Sequence, residues 1–261
     1  MSKMSHSAIQ LIKKIALNGS IAIALSCSAS TEGRAQSMDK VINETSSFLV
    51  RDWANDRDYN EWRPPQVMAI PASTRIYGAC GEWLKGDHVG EAGSYYCPAT
   101  HTIILDIDQV TLFYSEFGPG AVAYIIAHEF GHAMQNRFDA YPKGKASELQ
   151  ADCYAGILIN IGSDELNITR RDVLDMSLAA YGIGSSSHGT GAQRSYALMS
   201  GMGIVDYGCT TEEMYRLANN EIDDSHFNAL VRSRSSSGGV DLSITPYPKT
   251  IQDLGRSLNW Q

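Results

Sequence analysis

Several patterns that define large protein classes are missing from this 261-residue sequence. It has no run of lysines and arginines and its net charge is −8, so it lacks the electrostatic footprint of a nucleic-acid-binding protein. No two cysteines stand in a Cys-x-x-Cys spacing, which argues against a zinc site built from cysteines. The apolar run near the N-terminus is too short and interrupted for a membrane span, and no internal repeat is visible. What remains is an ordinary globular composition, long enough to bury a sizeable core.

The first 36 residues have the composition of an export signal. Three lysines precede a short apolar run over residues 15–25, and small residues follow over residues 26–30. This order predicts a signal peptide over residues 1–36 and hence a periplasmic or secreted protein. The alternative is an ordinary N-terminal helix. The segment ending at Cys27 also resembles a bacterial lipoprotein box, so lipidation at Cys27 is the one route by which we expect membrane attachment.

Four cysteines remain beyond this leader. An even number of cysteines in an exported chain fits two disulfides. Four cysteines allow three pairings, of which we favour Cys80–Cys97 together with Cys153–Cys209.

Hydrophobic periodicity and turn signals predict an α+β fold that is mostly helical, with a small β-section early in the chain. We expect a single domain over residues 37–230 and a C-terminal extension over residues 231–261, which starts rich in serine and glycine. Helices are predicted over residues 38–62, 119–137, 147–158, 169–181, 191–202 and 211–220. Ser147 and Thr190 are the predicted N-caps of the third and fifth of these helices. Strands are predicted over residues 74–80 and 102–107, joined through a loop at 86–93.

The most informative stretch runs from His128 to His132 and reads His-Glu-x-x-His inside an apolar, helix-compatible segment. Residues four apart share one face of a helix, so both imidazoles can reach one metal ion. Glu129 stands beside them as a candidate base for a water activated by that metal. The competing interpretation is an ordinary buried helix with incidental histidines.

A third metal ligand has to come from elsewhere, because catalytic zinc usually takes three protein ligands and keeps a fourth position for water. Glu148 follows His132 by sixteen residues and opens the next predicted helix, so a short connection would let two helices face each other across one ion. Asp152 lies one turn further on and could accept a hydrogen bond from the free ring nitrogen of a ligand histidine. The alternative for both carboxylates is a solvated helix face.

Three separate blocks of the sequence resemble the bacterial putative neutral zinc metallopeptidase family, a gluzincin-like group. They comprise residues 123–132, residues 148–156 and the stretch His188-Gly-Thr-Gly-Ala-Gln-Arg194. With a weaker similarity at residues 95–106, the resemblance spans about residues 76–215.

The resemblance implies a zincin-like metallopeptidase domain whose small β-sheet precedes the His-Glu-x-x-His helix. It also implies a zinc ion held by His128, His132 and Glu148, with Glu129 as the base. It strengthens both cysteine pairings, because each cysteine falls in or beside a matching block. The chain departs from the family in its N-terminal leader and at Ala133, where a second histidine is common.

The chemistry that follows is hydrolysis of a bond in a peptide or protein substrate. Glu129 would accept the proton of the attacking water and return it to the leaving amine. The oxyanion needs a donor besides the metal. We name His188 for this catalytic role, with Tyr181 as the weaker candidate; the alternative for His188 is a structural role.

Two expectations concern the surroundings of the site. The strand at Ile103–Asp106 is expected to present a free edge that pairs with an extended substrate. Gln193 and Arg194 are expected to anchor the helix after His188, by hydrogen bonds or by a pair with a carboxylate, rather than to act on substrate.

Two other functions compete with a peptidase. One is a non-catalytic peptide- or protein-binding module that keeps the metallopeptidase fold. The presence of the three candidate ligands and of Glu129 argues against it. The other is a structural zinc domain, which would have a closed set of four ligands and no position for water.

Overall fold

A computed structural model describes residues 36–55, 63–71, 80, 93–138 and 141–232 of the chain. The predicted leader with Cys27, except for Gln36, and the extension from residue 233 onward lie outside the described residues. So do the predicted strand at 74–80, except for Cys80, and the predicted loop at 86–93, except for Gly93.

The described chain is mostly helical with one small sheet, which confirms the α+β fold class. In chain order the elements are α1 (Met38–Asn55), β1 (Gln66–Ile70), β2 (Tyr95–Cys97), β3 (Thr102–Asp106), α2 (Ile107–Phe117), α3 (Pro119–Phe138), α4 (Lys145–Ile161), α5 (Arg170–Gly182), α6 (Gly191–Gly201), α7 (Thr211–Ala218) and α8 (Ser225–Arg232). Among the helices of these described ranges, none has the length and apolar character that crossing a membrane requires.

The sheet places the predicted strand at residues 102–107 in its centre. Its order is β1-β3-β2, with β3 parallel to β1 and antiparallel to β2. Just before the start of β2, the Ser94 hydroxyl accepts a hydrogen bond from the backbone N–H of Asp106 at 3.1 Å. The expected free edge at Ile103–Asp106 is therefore wrong, because β3 has hydrogen-bonded neighbours on both sides. In the described sheet the edge strands are β1 and β2, neither of which was predicted.

Two helices were missed, and each begins at an aspartate that caps it. Asp106 ends β3 and accepts hydrogen bonds from the backbone N–H groups of Asp108 and Gln109 at 2.9 and 3.2 Å. Asp224 caps α8 by accepting from the N–H groups of residues 226 and 227. An aspartate before an apolar, helix-spaced segment is the usual signal for a helix start, so both were available from the sequence.

The threonine caps follow the pattern that the sequence indicates, but Ser147 does not. Thr190 caps α6 in a capping box with Gln193, as predicted, and Thr169 and Thr210 cap α5 and α7 in the same way. The N-cap of α4 is Gly144, whose φ is +60°, and no side chain caps that helix. Ser147 instead lies in the first turn of α4.

Helix α3 lies at the centre of the described structure, and most of its length is buried. On one side Trp53 of α1 packs edge-on against Phe130, with ring centroids 6.4 Å apart. On another, Gly131 lies directly against α4: a Cβ atom at Gly131 would stand 2.6 Å from the carbonyl oxygen of Ala151. The missing side chain lets the two backbones approach closely and brings the histidines of α3 within reach of α4.

Both favoured disulfides are present. Cys80 pairs with Cys97 at the end of β2, and Cys153 of α4 pairs with Cys209, which precedes the cap of α7. The second disulfide therefore fastens α7 to the helix that carries Glu148 and Asp152.

Candidate metal centre

Three side chains from two helices converge on one point. His128 and His132 lie one turn apart on α3, and Glu148 lies in the first turn of α4. The Nε2 atoms of His128 and His132 are 3.5 and 3.7 Å from the two carboxylate oxygens of Glu148. Donor atoms around a tetrahedral zinc ion lie about 3.3–3.6 Å from one another. These three residues form a group that could hold a metal ion.

Both histidines present the correct ring nitrogen to this point. The Nδ1 atom of His128 is 2.8 Å from a carboxylate oxygen of Asp152, and that of His132 is 2.9 Å from Oε1 of Gln135. Gln135 uses its Nε2 to donate to the Ser147 carbonyl at 2.7 Å, so its oxygen must face His132. Because each Nδ1 faces an acceptor, it carries a ring proton, and each Nε2 is the nitrogen that faces the point of convergence.

Asp152 belongs to a buried network that holds His128. The Tyr124 hydroxyl donates to Asp152 at 2.6 Å, and Arg194 of α6 donates to both of its carboxylate oxygens. Burial opposes ionisation of Asp152, but the Arg194 guanidinium outweighs it and holds the pKa of the carboxyl below its usual value. The structure confirms the predicted hydrogen bond that Asp152 accepts from a histidine, and also the predicted pair of Arg194 with a carboxylate.

The charges of the group favour a cation between its members. Burial alone would lower the pKa of His128, but the Asp152 carboxylate, helped by Glu148, raises it to about 10. Burial also opposes the charge of Glu148, yet its contacts with His128 and His132 hold its pKa well below the usual range. The surroundings thus favour positive charge beside an ionised carboxylate, and a metal ion bound here would supply that charge in place of the proton on His128.

The carboxylate of Glu129 is buried and only partly hydrogen-bonded. Its side chain is buried, and this desolvation raises its pKa. One carboxylate oxygen accepts from the backbone N–H of Tyr96 in β2, whereas Oε2 is buried with no hydrogen-bond partner among the described residues. The side chain of Tyr96 is itself held by Asn136 at 3.0 Å and by His101 at 2.7 Å. A buried acceptor without a donor is the position that a water molecule would fill.

His188 is not one of the three converging donors. It lies on the exposed loop before α6, where its Nδ1 is hydrogen-bonded to Ser185 and Ser187 at 3.0 and 2.8 Å. The same loop packs on α4, since a Cβ atom at Gly189 would stand 2.9 Å from Cδ2 of Leu149, the residue after Glu148. Tyr181, the weaker candidate, has a buried side chain.

Gln193 has the anchoring role expected of it. Its Nε2 donates to the carbonyls of Leu217 and Ala218 at 2.9 and 3.0 Å, so it ties the start of α6 to the end of α7. It makes this contact in addition to its role in the capping box with Thr190.

Three residues that support the site were assigned no role from the sequence. Tyr124 precedes His128 by four positions and Gln135 follows His132 by three, so helical spacing alone places each beside a ligand. That signal was available. Tyr96 had none, because its backbone meets Glu129 only where the sheet packs on α3.

Comparison with known proteins gives a family match and several uncharacterized relatives. A family model described as "Putative neutral zinc metallopeptidase" matches residues 11–199. Over 115 residues the chain is 36% identical to the uncharacterized proteins Mb2605 of Mycobacterium bovis and Rv2575 of Mycobacterium tuberculosis, a match covering 37% of this chain and 38% of each relative. The uncharacterized protein YpfJ of Escherichia coli K12 is 29% identical over 171 residues, which cover 51% of this chain and 56% of that protein. The chain thus matches about two fifths to just over half of the length of these relatives. No solved structure matches it significantly.

Proposed function

Because the matching family model covers more than half of the chain, the protein belongs to the Putative neutral zinc metallopeptidase family, and we propose that it is a zinc-dependent peptidase with Glu129 as its general base. One observation carries the proposal. The unpartnered, buried Oε2 of Glu129 lies on the helix whose two histidines converge with Glu148 on a single point. A buried helix with incidental histidines has no reason to combine these features.

Zinc is the metal we propose for the site. Two imidazole nitrogens and one carboxylate are a donor set that zinc takes in hydrolases, where the fourth position is left for water. Bound there, zinc would supply a Lewis acid that polarises the water and the substrate carbonyl. His128, His132 and Glu148 would hold the ion, while Asp152 and Gln135 would fix the orientation of the two rings.

The chain's own residues account for the movement of the proton. Glu129 would accept a proton from the attacking water at Oε2 and then donate it to the nitrogen of the leaving amine. The raised pKa of Glu129 suits the first step, since a carboxylate with a higher pKa is a stronger base and accepts the proton of the attacking water more readily. His188, on the loop that packs beside Glu148, is our proposed donor to the oxyanion.

The described sheet suggests where substrate lies. β2 is an edge strand of the described sheet, and the backbone N–H of Tyr96 in this strand donates to Glu129. An extended peptide running alongside β2 would therefore pass Glu129, and backbone pairing would bind it with little dependence on sequence. We propose β2 for the role that the sequence analysis assigned to β3.

We further propose that the protein works outside the cytoplasm. Two disulfides suit an oxidising compartment. The leader at residues 1–36 would direct export, with a lipid at Cys27 as the proposed means of attachment if the protein is held at a membrane. N-terminal sequencing of exported protein tests this, since an intact N-terminus without lipid would overturn both suggestions.

The decisive experiment compares the parent protein with Glu129→Gln. Both proteins should bind one equivalent of zinc by metal analysis, because Glu129 is not among the three donors. Cleavage of a peptide library should fall by about 10²–10⁴ in kcat, as expected when a general base is removed. If Glu129→Gln digests the library as well as the parent does, the mechanism is wrong. Peptide binding by a zinc-loaded parent that cleaves nothing would instead indicate a non-catalytic binding module.

Two further variants test the other assignments. Glu148→Ala should lose zinc, whereas retention of the metal at parental affinity would remove Glu148 from the ligand set. His188→Ala should lower kcat by about 10²–10³ with little change in KM if the ring donates to the oxyanion. An unchanged kcat would leave His188 with a structural role only.

A further inference from the structure

Two buried glutamines continue the hydrogen bonding of His132 away from the metal centre. The side chains of Gln135 and Gln150 are almost completely buried, at 0% and 1% exposed. Gln135 accepts from His132 and donates to Oε1 of Gln150 at 3.2 Å. Gln150 then donates to the backbone carbonyl of Cys209 at 3.1 Å. Cys209 is half of the disulfide with Cys153.

The order of these contacts gives the chain of hydrogen bonds one direction. A backbone carbonyl can only accept, so the NH2 group of the Gln150 side chain must face Cys209 and its oxygen must face Gln135. The NH2 group of Gln135 then faces Gln150, and the side-chain oxygen of Gln135 faces His132. The Cys209 carbonyl thereby supports, from a distance, the tautomer of His132 that leaves Nε2 free for metal.

We infer that Gln135 and Gln150 form a relay that ties the metal ligand His132 to the Cys153–Cys209 disulfide, so that the disulfide strengthens metal binding. Gln135 and Gln150 are positioning residues in this arrangement, since neither is among the three donors of the metal group. The disulfide holds Cys209 against α4, and Cys153 is the neighbour of Asp152, which orients the other histidine. One crosslink thus lies beside the supports of both rings.

Loss of the disulfide has a clear physical consequence. Without the crosslink, the segment at Cys209 is free to move away from α4, and its carbonyl no longer has to meet Gln150. The buried amide group of Gln150 would then lack an acceptor, which favours a flip or a shift of its side chain. Gln135 would keep its bond to Ser147 but lose its partner at Gln150, and the ring of His132 would be held less rigidly.

The inference rests on the metal binding included in the proposed function, and its test separates the two. Zinc affinity is measured by competition with a chelator, and the cobalt-substituted protein is examined by visible absorption, which reports the geometry of the ligands. Gln150→Met should weaken zinc binding about 10- to 100-fold and change the cobalt spectrum, as expected for loss of a group that orients a ligand. The matched control is Gln193→Met, which removes an equally buried amide whose NH2 group donates to carbonyls at the end of α7, and which should keep the parental affinity.

The disulfide is tested by removing each crosslink in turn. Cys153→Ala with Cys209→Ala should weaken zinc binding, whereas Cys80→Ala with Cys97→Ala should not. Adding Gln150→Met to the first pair should cost less than it costs in the parent, because both changes break the same relay. In the unaltered protein, zinc should slow the reduction of Cys153–Cys209 by a phosphine but leave Cys80–Cys97 unaffected, and mass spectrometry follows each bond. This last measurement needs no variant to fold.

The outcomes are distinct. A parent protein that binds no zinc would overturn the proposed function. A parent that binds zinc, with Gln150→Met equally tight or Gln193→Met equally weakened, would overturn the relay alone. Equal protection of both disulfides by zinc would also overturn it, because that result would mean only that zinc stabilises the whole fold.

Discussion

Arg194 donates to both carboxylate oxygens of Asp152, from Nε to Oδ2 and from Nη2 to Oδ1, and each contact is 2.8 Å long. Both side chains are buried, at 4% and 0% exposed. The pair explains how an ionised carboxylate can be kept inside the core, where it orients His128. It also means that removing either partner leaves the other buried without its two charged hydrogen bonds.

The first prediction concerns stability. Arg194→Met should lower the free energy of unfolding by about 3–5 kcal/mol, because it removes the two charged hydrogen bonds of Arg194 from the buried carboxylate of Asp152. Denaturant unfolding of the metal-free protein measures this. Combining Arg194→Met with Asp152→Asn should recover part of the loss, since the uncompensated charge is then gone. A single variant as stable as the parent would show that the pair contributes nothing.

The second prediction separates the charge of Asp152 from its hydrogen bonds. Asp152→Asn should weaken zinc binding about 10- to 100-fold, because a neutral amide supports the His128 ring less well than a carboxylate. Tyr124→Phe removes one hydrogen bond to the same carboxylate and keeps its charge. The loss of zinc affinity in Tyr124→Phe should therefore be several-fold smaller than the loss in Asp152→Asn. Chelator competition ranks the three proteins. Equal losses in both variants would show that the charge of Asp152 is unimportant.

The third prediction tests the close approach of α3 and α4. Gly131→Ala should lower the free energy of unfolding by about 1–3 kcal/mol and weaken zinc binding, because its Cβ atom would meet the Ala151 carbonyl oxygen at 2.6 Å. The obstacle is backbone, so adding Ala151→Gly should not restore either property. Full rescue by Ala151→Gly would mean that the side chains, rather than the backbones, set the spacing of the helices.

The fourth prediction concerns pH. Asp175 is 2% exposed, and burial raises its pKa from 3.8 to about 6, against the opposing effect of Arg171. Between these two values the folded state holds the proton while the unfolded state releases it, so this group makes the free energy of unfolding fall as pH rises from 4 to 6. Asp175→Asn should remove that fall, which is on the order of 2 kcal/mol.

Urea unfolding of the parent and of Asp175→Asn at several pH values between 4 and 7 tests the effect. The variant should gain stability relative to the parent as the pH rises. Its lost ion pair matters little, since the side chain of Arg171 is 68% exposed and such pairs contribute about 0–1 kcal/mol. Two parallel pH curves would show that Asp175 ionises normally in the folded protein.

Local patterns accounted for much of the helical framework. Helix α3 was predicted over residues 119–137, because Pro119 suits the first turn of a helix and a long apolar, helix-compatible run follows it. The observed helix extends over Pro119–Phe138. Thr190 was identified as a cap from its position alone. These features depend on neighbours within a few residues, so a sequence contains them directly. The missed caps at Asp106 and Asp224 are equally local, so the sequence contains their signals as well.

The sheet could not be predicted in the same way. β3 was expected to have a free edge, yet it lies between β1 and β2, which come from separate parts of the chain. β2 is only three residues long, too short for a periodic pattern to show. Which strand borders the site is a matter of long-range pairing, and no short window of sequence reports it.

For the candidate metal centre, the sequence by itself determined the donors: the spacing of His128 and His132 puts both rings on one helical face, and Glu148 opens the next helix. Only the tertiary structure decided what surrounds them. The contacts of Arg194 with Asp152, of Tyr96 with Glu129 and of Gln150 with Cys209 join residues 33 or more positions apart. Helical spacing is a property of the local backbone, whereas these contacts exist only once separate elements have packed together.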